Sequence, residues 1–246
     1  MKVISRSCDS WVAVSDKLAK DRSRDQICNE LQKRVFSTHA WLFDLDDTHA
    51  PSSAKLIVRK AVGTRRSGLS YFAWCAKAFY NLAFNRYDAE CRMWDDYVSR
   101  FLDTEEALEE LREMFTLETI KGSFYPGVED FCSLVEIAKK YYVTGNISVV
   151  ADAYADFLGF DGVYPNAYRK AAIVEEYFVR DRPHFQYYGV MGDANYDAEM
   201  VAALRFHGKS VIAILSSNKP VEDLDVTVFD VNTSRDQSGL VKILME

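Results

Sequence analysis

Four short apolar runs stand out along the chain: Ala40–Phe43 (AWLF), 141–143 (YYV), 187–191 (YYGVM) and 210–215 (SVIAIL). Each is rich in β-branched or aromatic residues and stops at a polar or glycine-bearing turn, which is how a buried strand reads. Between the runs the spacing turns helical. Segment 128–140 sets Val128, Phe131, Leu134, Val135 and Ala138 on one face, and 196–206 does the same with Met200, Ala203 and Leu204. Strand and helix in alternation predict an α/β fold, a parallel sheet with helices on its faces.

The stretch 50–123 breaks this alternation. Its spacing predicts helices over 54–62, 69–87, 89–102 and 104–115, with Asp103, Thr104 and Glu106 forming a capping-box start for the last. The loop 63–68 (GTRRSG) separates the first two. Tyr71, Phe72, Trp74, Phe79, Tyr80, Phe84, Tyr87 and Trp94 read mostly as the core of a helical subdomain. That subdomain is inserted directly after the first strand, where it can serve as a lid. Residues 1–39 read as an N-terminal helical arm, with 16–36 at helical spacing through Leu18, Ile27, Leu31 and Val35. The charged run 17–25 within it is a solvated face. The expected division is an arm (1–39), a core (40–49 and 124–246) and a helical cap (50–123).

Composition narrows the class. Over 246 residues, 48% are hydrophobic and 27% charged, a globular balance. The net charge of −7 argues against nucleic-acid binding, though a local basic pocket or a metal can still draw a small anion. The five cysteines are odd in number and form no C-x-x-C pair, and the four histidines show no metal-ligand spacing. Free thiols, the absence of an apolar leader and no apolar run near 18 residues lead to the expectation of a cytoplasmic protein with no membrane span. Oligomeric state is not legible.

The chemistry gathers where strands end. In a parallel sheet the residues after each strand share the carboxyl edge, where ligands bind. Asp44, Thr144 and Asp193 each follow a run directly. Asp44 and Asp46 are two apart and should point the same way from a strand. Asp193 and Asp197 are one helical turn apart and can face one point. Four carboxylates at one edge need a cation, and a hard divalent ion with oxygen ligands suits them. Thr144-Gly145-Asn146 offers a hydroxyl and backbone N–H groups to phosphate oxygens. Lys170 offers a fixed positive charge, with adjacent Arg169 competing for that role.

Together these residues resemble the haloacid dehalogenase superfamily. Asp44-Leu45-Asp46-Asp47-Thr48 matches its first motif (D-x-D-x-T), Thr144 its second, Lys170 its third, and Gly192-Asp193-x-x-x-Asp197 its fourth (G-D-x-x-x-D). The resemblance covers about 40–246. It implies a Rossmann-like three-layer α/β/α core and a C1-type cap, as in phosphoserine phosphatase-like members. It also implies a phosphomonoester hydrolase acting on a small phosphorylated metabolite. Asp44 would attack phosphorus and form an aspartyl-phosphate, and Asp46 would serve as acid and then base. Mg2+ would be held by Asp44, the backbone carbonyl of Asp46, and Asp193, with Asp197 in support. Thr144, with Gly145 and Asn146, and Lys170 would hold the phosphoryl oxygens. Two positions depart from the pattern: Asp47 stands where glycine is frequent, and His49, read as a plain loop histidine, where an apolar residue is usual.

Two other readings use the same scaffold: a phosphotransferase or mutase, which differs only in the acceptor, and a non-catalytic phosphate-binding module. The intact set of acids argues against the module. Arg65 and Arg66 in the 63–68 loop are candidate specificity residues, with Lys55, Arg59 and Lys60 nearby. Trp74, Tyr80 and Trp94 are candidates for an apolar pocket.

Overall fold

The computed structural model describes residues 2–6, 10–51, 53, 76, 80, 104–193, 195–216, 225–230 and 236–246. The strands are β1 (Lys2–Arg6), β2 (Ser10–Val14), β3 (Ala40–Phe43), β4 (Lys139–Val143), β5 (Gly162–Tyr164), β6 (Tyr187–Gly192), β7 (Ser210–Ser216) and β8 (Val226–Asp230). The helices are α1 (Asp16–Ala19), α2 (Arg24–Phe36), α3 (Glu105–Arg112), α4 (Leu117–Lys121), α5 (Val128–Leu134), α6 (Ser148–Leu158), α7 (Lys170–Ile173), α8 (Asn195–Phe206) and α9 (Ser238–Met245). A π-helical turn, Val174–Arg180, continues α7.

The strands form one sheet in the order β1-β2-β8-β7-β6-β3-β4-β5. From β8 to β5 all neighbours are parallel; β2 adds antiparallel to β8, and β1 antiparallel to β2. Sequence alternation along the strands sends side chains to two separate cores. Trp41, Phe43, Tyr142 and Ile212 pack on one face against Ile27, Leu31, Phe131, Val150 and Leu240. Leu42, Val143, Val190 and Ala213 pack on the other against Phe178, Met200 and Leu204. The three-layer α/β/α arrangement follows from that division.

Close packing explains the glycine inside the YYGVM run. Gly189 pairs with Trp41 in register, and a Cβ there would fall 2.3 Å from the indole. Gly127, with φ 83°, opens α5 against the start of α9, where a Cβ would lie 2.5 Å from the Ser238 nitrogen. Both glycines let backbone and ring approach more closely than any other residue allows.

Four expectations are corrected. The arm 1–39 is not wholly helical. It supplies β1 and β2 before α1 and α2, and these strands extend the central sheet. Val12 and Val14 are buried at its edge. The predicted 16–36 helix is split, because Asp21 takes φ 57° and Ser23 starts a new helix. Ser23 accepts from the Gln26 N–H at 3.2 Å, while the Gln26 side chain accepts from the Ser23 N–H at 2.8 Å. The helix predicted over 128–140 stops at Leu134, because Lys139 onward is needed to pair with β3. The 104–123 segment, assigned to the cap, sends Leu111, Phe115 and Ile120 into the core of the sheet domain. Its apolar stripe finds its burial there. Within the predicted 69–87 helix, Ala76 and Tyr80 are helical. The other proposed cap helices, with Arg65, Arg66, Lys55, Arg59, Lys60, Trp74 and Trp94, lie outside the described residues.

Candidate active site

β3 ends at Phe43, whose ring belongs to the core with Trp41, so the next side chain along the strand turns to the opposite face. That side chain is Asp44. Its backbone N–H still donates to the Met191 carbonyl at 2.9 Å, which fixes it beside the end of β6. Asp193 follows β6 and Asp197 lies in the first turn of α8. One oxygen from each of Asp44, Asp193 and Asp197 can be chosen so that all lie within 4.8 Å of one another. The Asp193 N–H donates to Asp197 Oδ2 at 2.8 Å, closing the turn. Gly192 is required at that turn, since a Cβ would sit 2.1 Å from the Asp197 carboxyl carbon.

Lys170 enters from α7 and is only 4% exposed. Its Nζ lies 2.8 Å from Asp44 Oδ1 and 2.5 Å from Asp197 Oδ1. Arg169 is exposed and caps α7. The geometry thus brings Lys170 to the carboxylates of Asp44 and Asp197, both of them buried. Burial pushes the Asp44 carboxyl up to about 8, with Asp197 and Asp193 adding to the rise and Lys170 opposing it. For Lys170, burial works to lower the pKa; the carboxylates of Asp197 and Asp44 outweigh it and hold the ammonium above its ordinary range.

Asp46 does not join this group, contrary to the expected convergence of four acids. The strand has ended, and the chain turns through Leu45 to Ala50: His49 N–H donates to the Leu45 carbonyl at 3.0 Å, and Asp47 takes φ 57°. The turn swings the Asp46 carboxylate toward Ser53 and Asn146. It accepts from the Ser53 N–H at 3.1 Å and from the Asn146 carboxamide at 3.2 Å on each oxygen. Asn146 also donates to Ser53 Oγ at 2.7 Å. Burial pushes Asp46 up to about 6, against hydrogen bonds from Ser53 that lower it. The side chain of Asn146, expected on a phosphate, is therefore engaged with Asp46. Ser53 had no distinguishing signal in the sequence beyond its place after the motif.

Thr144 is fully buried at the end of β4, and its Oγ1 accepts from the Asn146 N–H at 3.2 Å. Gly145 runs beside the Tyr168 ring, where a Cβ would have ordinary contact at 3.7 Å. These residues adjoin Asp46 through Asn146. Asp47 holds the left-handed conformation that glycine adopts freely and that Asp tolerates better than most residues. Asp47→Gly should be tolerated, whereas Asp47→Val should cost about 1–2 kcal/mol more, measured by chemical denaturation. His49 is not a plain loop residue. It is buried beneath Phe43 with Nδ1 2.8 Å from the Tyr142 hydroxyl, and burial pushes its pKa down to about 3.

These shifts fix a pH response of the metal-free protein. Folded Asp44 keeps its proton to about pH 8, while the unfolded chain loses it near 3.8. In that window the native state binds more protons, so stability falls as pH rises. Asp46 acts in the same sense up to about 6. His49 acts oppositely, because between about 3 and 6.5 the unfolded chain is the better proton binder. The window from 6.5 to 8 isolates Asp44. Thermal melts in chelator should show a falling melting temperature across it in wild type and a flat response in Asp44→Asn.

No family model matches the sequence, and no curated protein matches it. Solved structures do. Cytosolic 5'-nucleotidase IIIB bound to cytidine superposes with a TM-score of 0.56 at 13% identity, covering 93% of this chain and 95% of that one. The HAD-hydrolase YfnB from Bacillus subtilis, bound to magnesium, gives a TM-score of 0.50 at 14% identity, covering 85% of this chain and 99% of that one. The α/β/α architecture is the one expected, and the chain has the fold of the haloacid dehalogenase hydrolases.

Proposed function

We propose that the chain is a Mg2+-dependent phosphomonoester hydrolase acting on a small phosphorylated metabolite through an aspartyl-phosphate on Asp44. The observation that carries this is the pairing of one buried ammonium, Lys170, with three converging carboxylates, Asp44, Asp193 and Asp197, at the carboxyl edge of the sheet. Three carboxylate oxygens that can converge within 4.8 Å of one another suit a hard divalent ion. All the converging donors are carboxylate oxygens, which favours Mg2+ over softer metals. Asp44 and Asp193, with the Asp46 backbone carbonyl, would hold the ion, and Asp197 would orient Lys170 and the turn at Asp193. When bound, the ion shields the charge between a phosphate dianion and the attacking carboxylate.

The chain's own groups divide the remaining work. An Asp44 oxygen forms the bond to phosphorus as the ester oxygen leaves with the bonding pair. Asp46, with a carboxyl poised near 6, donates the proton that the leaving oxygen takes up, then removes a proton from the water that attacks phosphorus and frees Asp44. Asn146 and Ser53 fix the Asp46 rotamer. Lys170 and Thr144, with the Gly145 N–H, hold the phosphoryl oxygens. Among the described residues, no helix is long and apolar enough to cross a membrane.

Phosphate release from an aryl phosphate tests this reading. It should require Mg2+ and stop in chelator; full turnover after complete removal of divalent metal would sink it. A screen of phosphorylated metabolites should include nucleoside monophosphates, given that 5'-nucleotidase IIIB is among the superposable structures. Transfer to added alcohols or sugars in place of water would instead mark a phosphotransferase.

A further inference from the structure

A polar cavity lies at the opposite, amino edge of the sheet. It encloses about 540 Å3 between α1, α2, the end of α8 and the starts of β6 and β7. That size falls within the range of small-molecule sites. Five cationic side chains line it, Lys17, Lys33, Arg34, Arg205 and Lys209, against two carboxylates, Glu30 and Asp225. This is a basic concavity in a chain of net charge −7.

The two carboxylates organise the cations more than they neutralise them. Asp225 is buried, and its side chain lies 3.4 Å from Arg34 Nη1 and 3.0 Å from Arg205 Nη2. It also accepts from the Ala213 N–H at 3.1 Å, which anchors it to β7. Glu30 holds Arg34 Nε at 2.8 Å. Both guanidiniums are therefore held in place before any ligand arrives, which lowers the entropic cost of binding one. Lys209 Nζ donates to the carbonyls of Pro183 and Phe185 at 3.0 and 2.8 Å, neutral partners that leave its charge uncompensated. Lys17 and Lys33 are exposed at the rim. The half-exposed Tyr187 ring forms part of the wall, steadied edge-on by His39.

We propose that this cavity binds a small multivalent phosphate-bearing anion, at a site distinct from the catalytic edge. The sheet separates the two: β6 runs from Tyr187 in the cavity wall to Gly192 beside Asp193, roughly 17 Å at strand rise. Fixed guanidiniums suit the paired oxygens of a phosphate, and the lysines suit its remaining charge. The excess of three positive charges matches a diphosphate group.

The test uses the full-length protein in chelator, where the carboxylates of the catalytic edge repel anions. Inorganic pyrophosphate, titrated calorimetrically, should bind saturably at one site and weaken with added salt. Lys17→Gln/Lys33→Gln should weaken binding by about tenfold, the scale of two partly screened ion pairs, while leaving aryl phosphate turnover in Mg2+ unchanged. Both lysines are exposed, so the variant should fold. A nucleoside diphosphate in a parallel titration separates a bare diphosphate from one carrying an aromatic body for Tyr187; tighter binding of either supports the site. Absence of saturable binding, or binding indifferent to the double substitution, would overturn it.

Discussion

Asp44→Asn should abolish phosphate release while leaving the metal-free protein folded and no less stable than wild type. The two halves of that result have one cause. Asp44 is the reacting atom's owner in the proposed mechanism, so its amide cannot form the acyl-phosphate. Loss of a nucleophile that works as part of a unit costs on the order of 10⁴-fold or more. The same carboxylate sits buried among two others with one lysine between them, and burial raises it to about 8. Asparagine is neutral at every pH, so the variant avoids the cost of placing a charge at this buried position. A variant that loses activity by unfolding would instead melt lower. Phosphate assays paired with thermal melts in chelator separate the outcomes. Activity that survives in Asp44→Asn would place the nucleophile elsewhere.

Lys170→Met should have the largest effect on stability. Lys170 contacts both Asp44 and Asp197. Methionine keeps the length and apolar stem of the side chain but leaves buried carboxylates uncompensated. Breaking one side of a buried charge network costs about 3–5 kcal/mol. For a chain of this size that lowers the melting temperature on the order of 10 °C. Mg2+ should recover part of the loss, because it binds the same carboxylates in the native state alone. Turnover should remain low even in saturating Mg2+, because the phosphoryl oxygens have lost a fixed ammonium. A melting temperature equal to wild type in chelator would show that Lys170 carries no such burden.

Much of this was legible because hydrophobic alternation and strand-end chemistry are local signals. The runs at 40–43, 141–143, 187–191 and 210–215 all lie in strands, and β3 has the expected bounds. From those strands topology led to the expectation that Asp44, Thr144 and Asp193 share one edge, whereas Lys170 came from the motif match, with Arg169 competing. The losses have physical causes. β1 and β2 alternate weakly, and they are strands because β8 offers an edge to β2 and β2 offers one to β1. Asp46 was expected beside Asp44 because strand periodicity was carried past Phe43, into a turn set by the positive φ of Asp47. Asn146 donates to a carboxylate 100 positions earlier in the chain, a contact that no spacing rule reveals. His49 looked like a loop residue because its partner, Tyr142, lies on the neighbouring strand.

The central claim is that Asp44 carries the phosphoryl group, and Asp46→Asn offers the most direct view of it. A nitrophenyl phosphate needs no acid to expel its leaving group, so phosphorylation should proceed in this variant. Hydrolysis of the intermediate needs Asp46 as base and should stall. Mixed with labelled substrate and Mg2+, then quenched in acid, Asp46→Asn should retain about one labelled phosphoryl group per chain, which peptide mass spectrometry places on Asp44 and hydroxylamine releases. Label on any other residue, or release of phosphate at the wild-type rate with no labelled protein, would contradict the account.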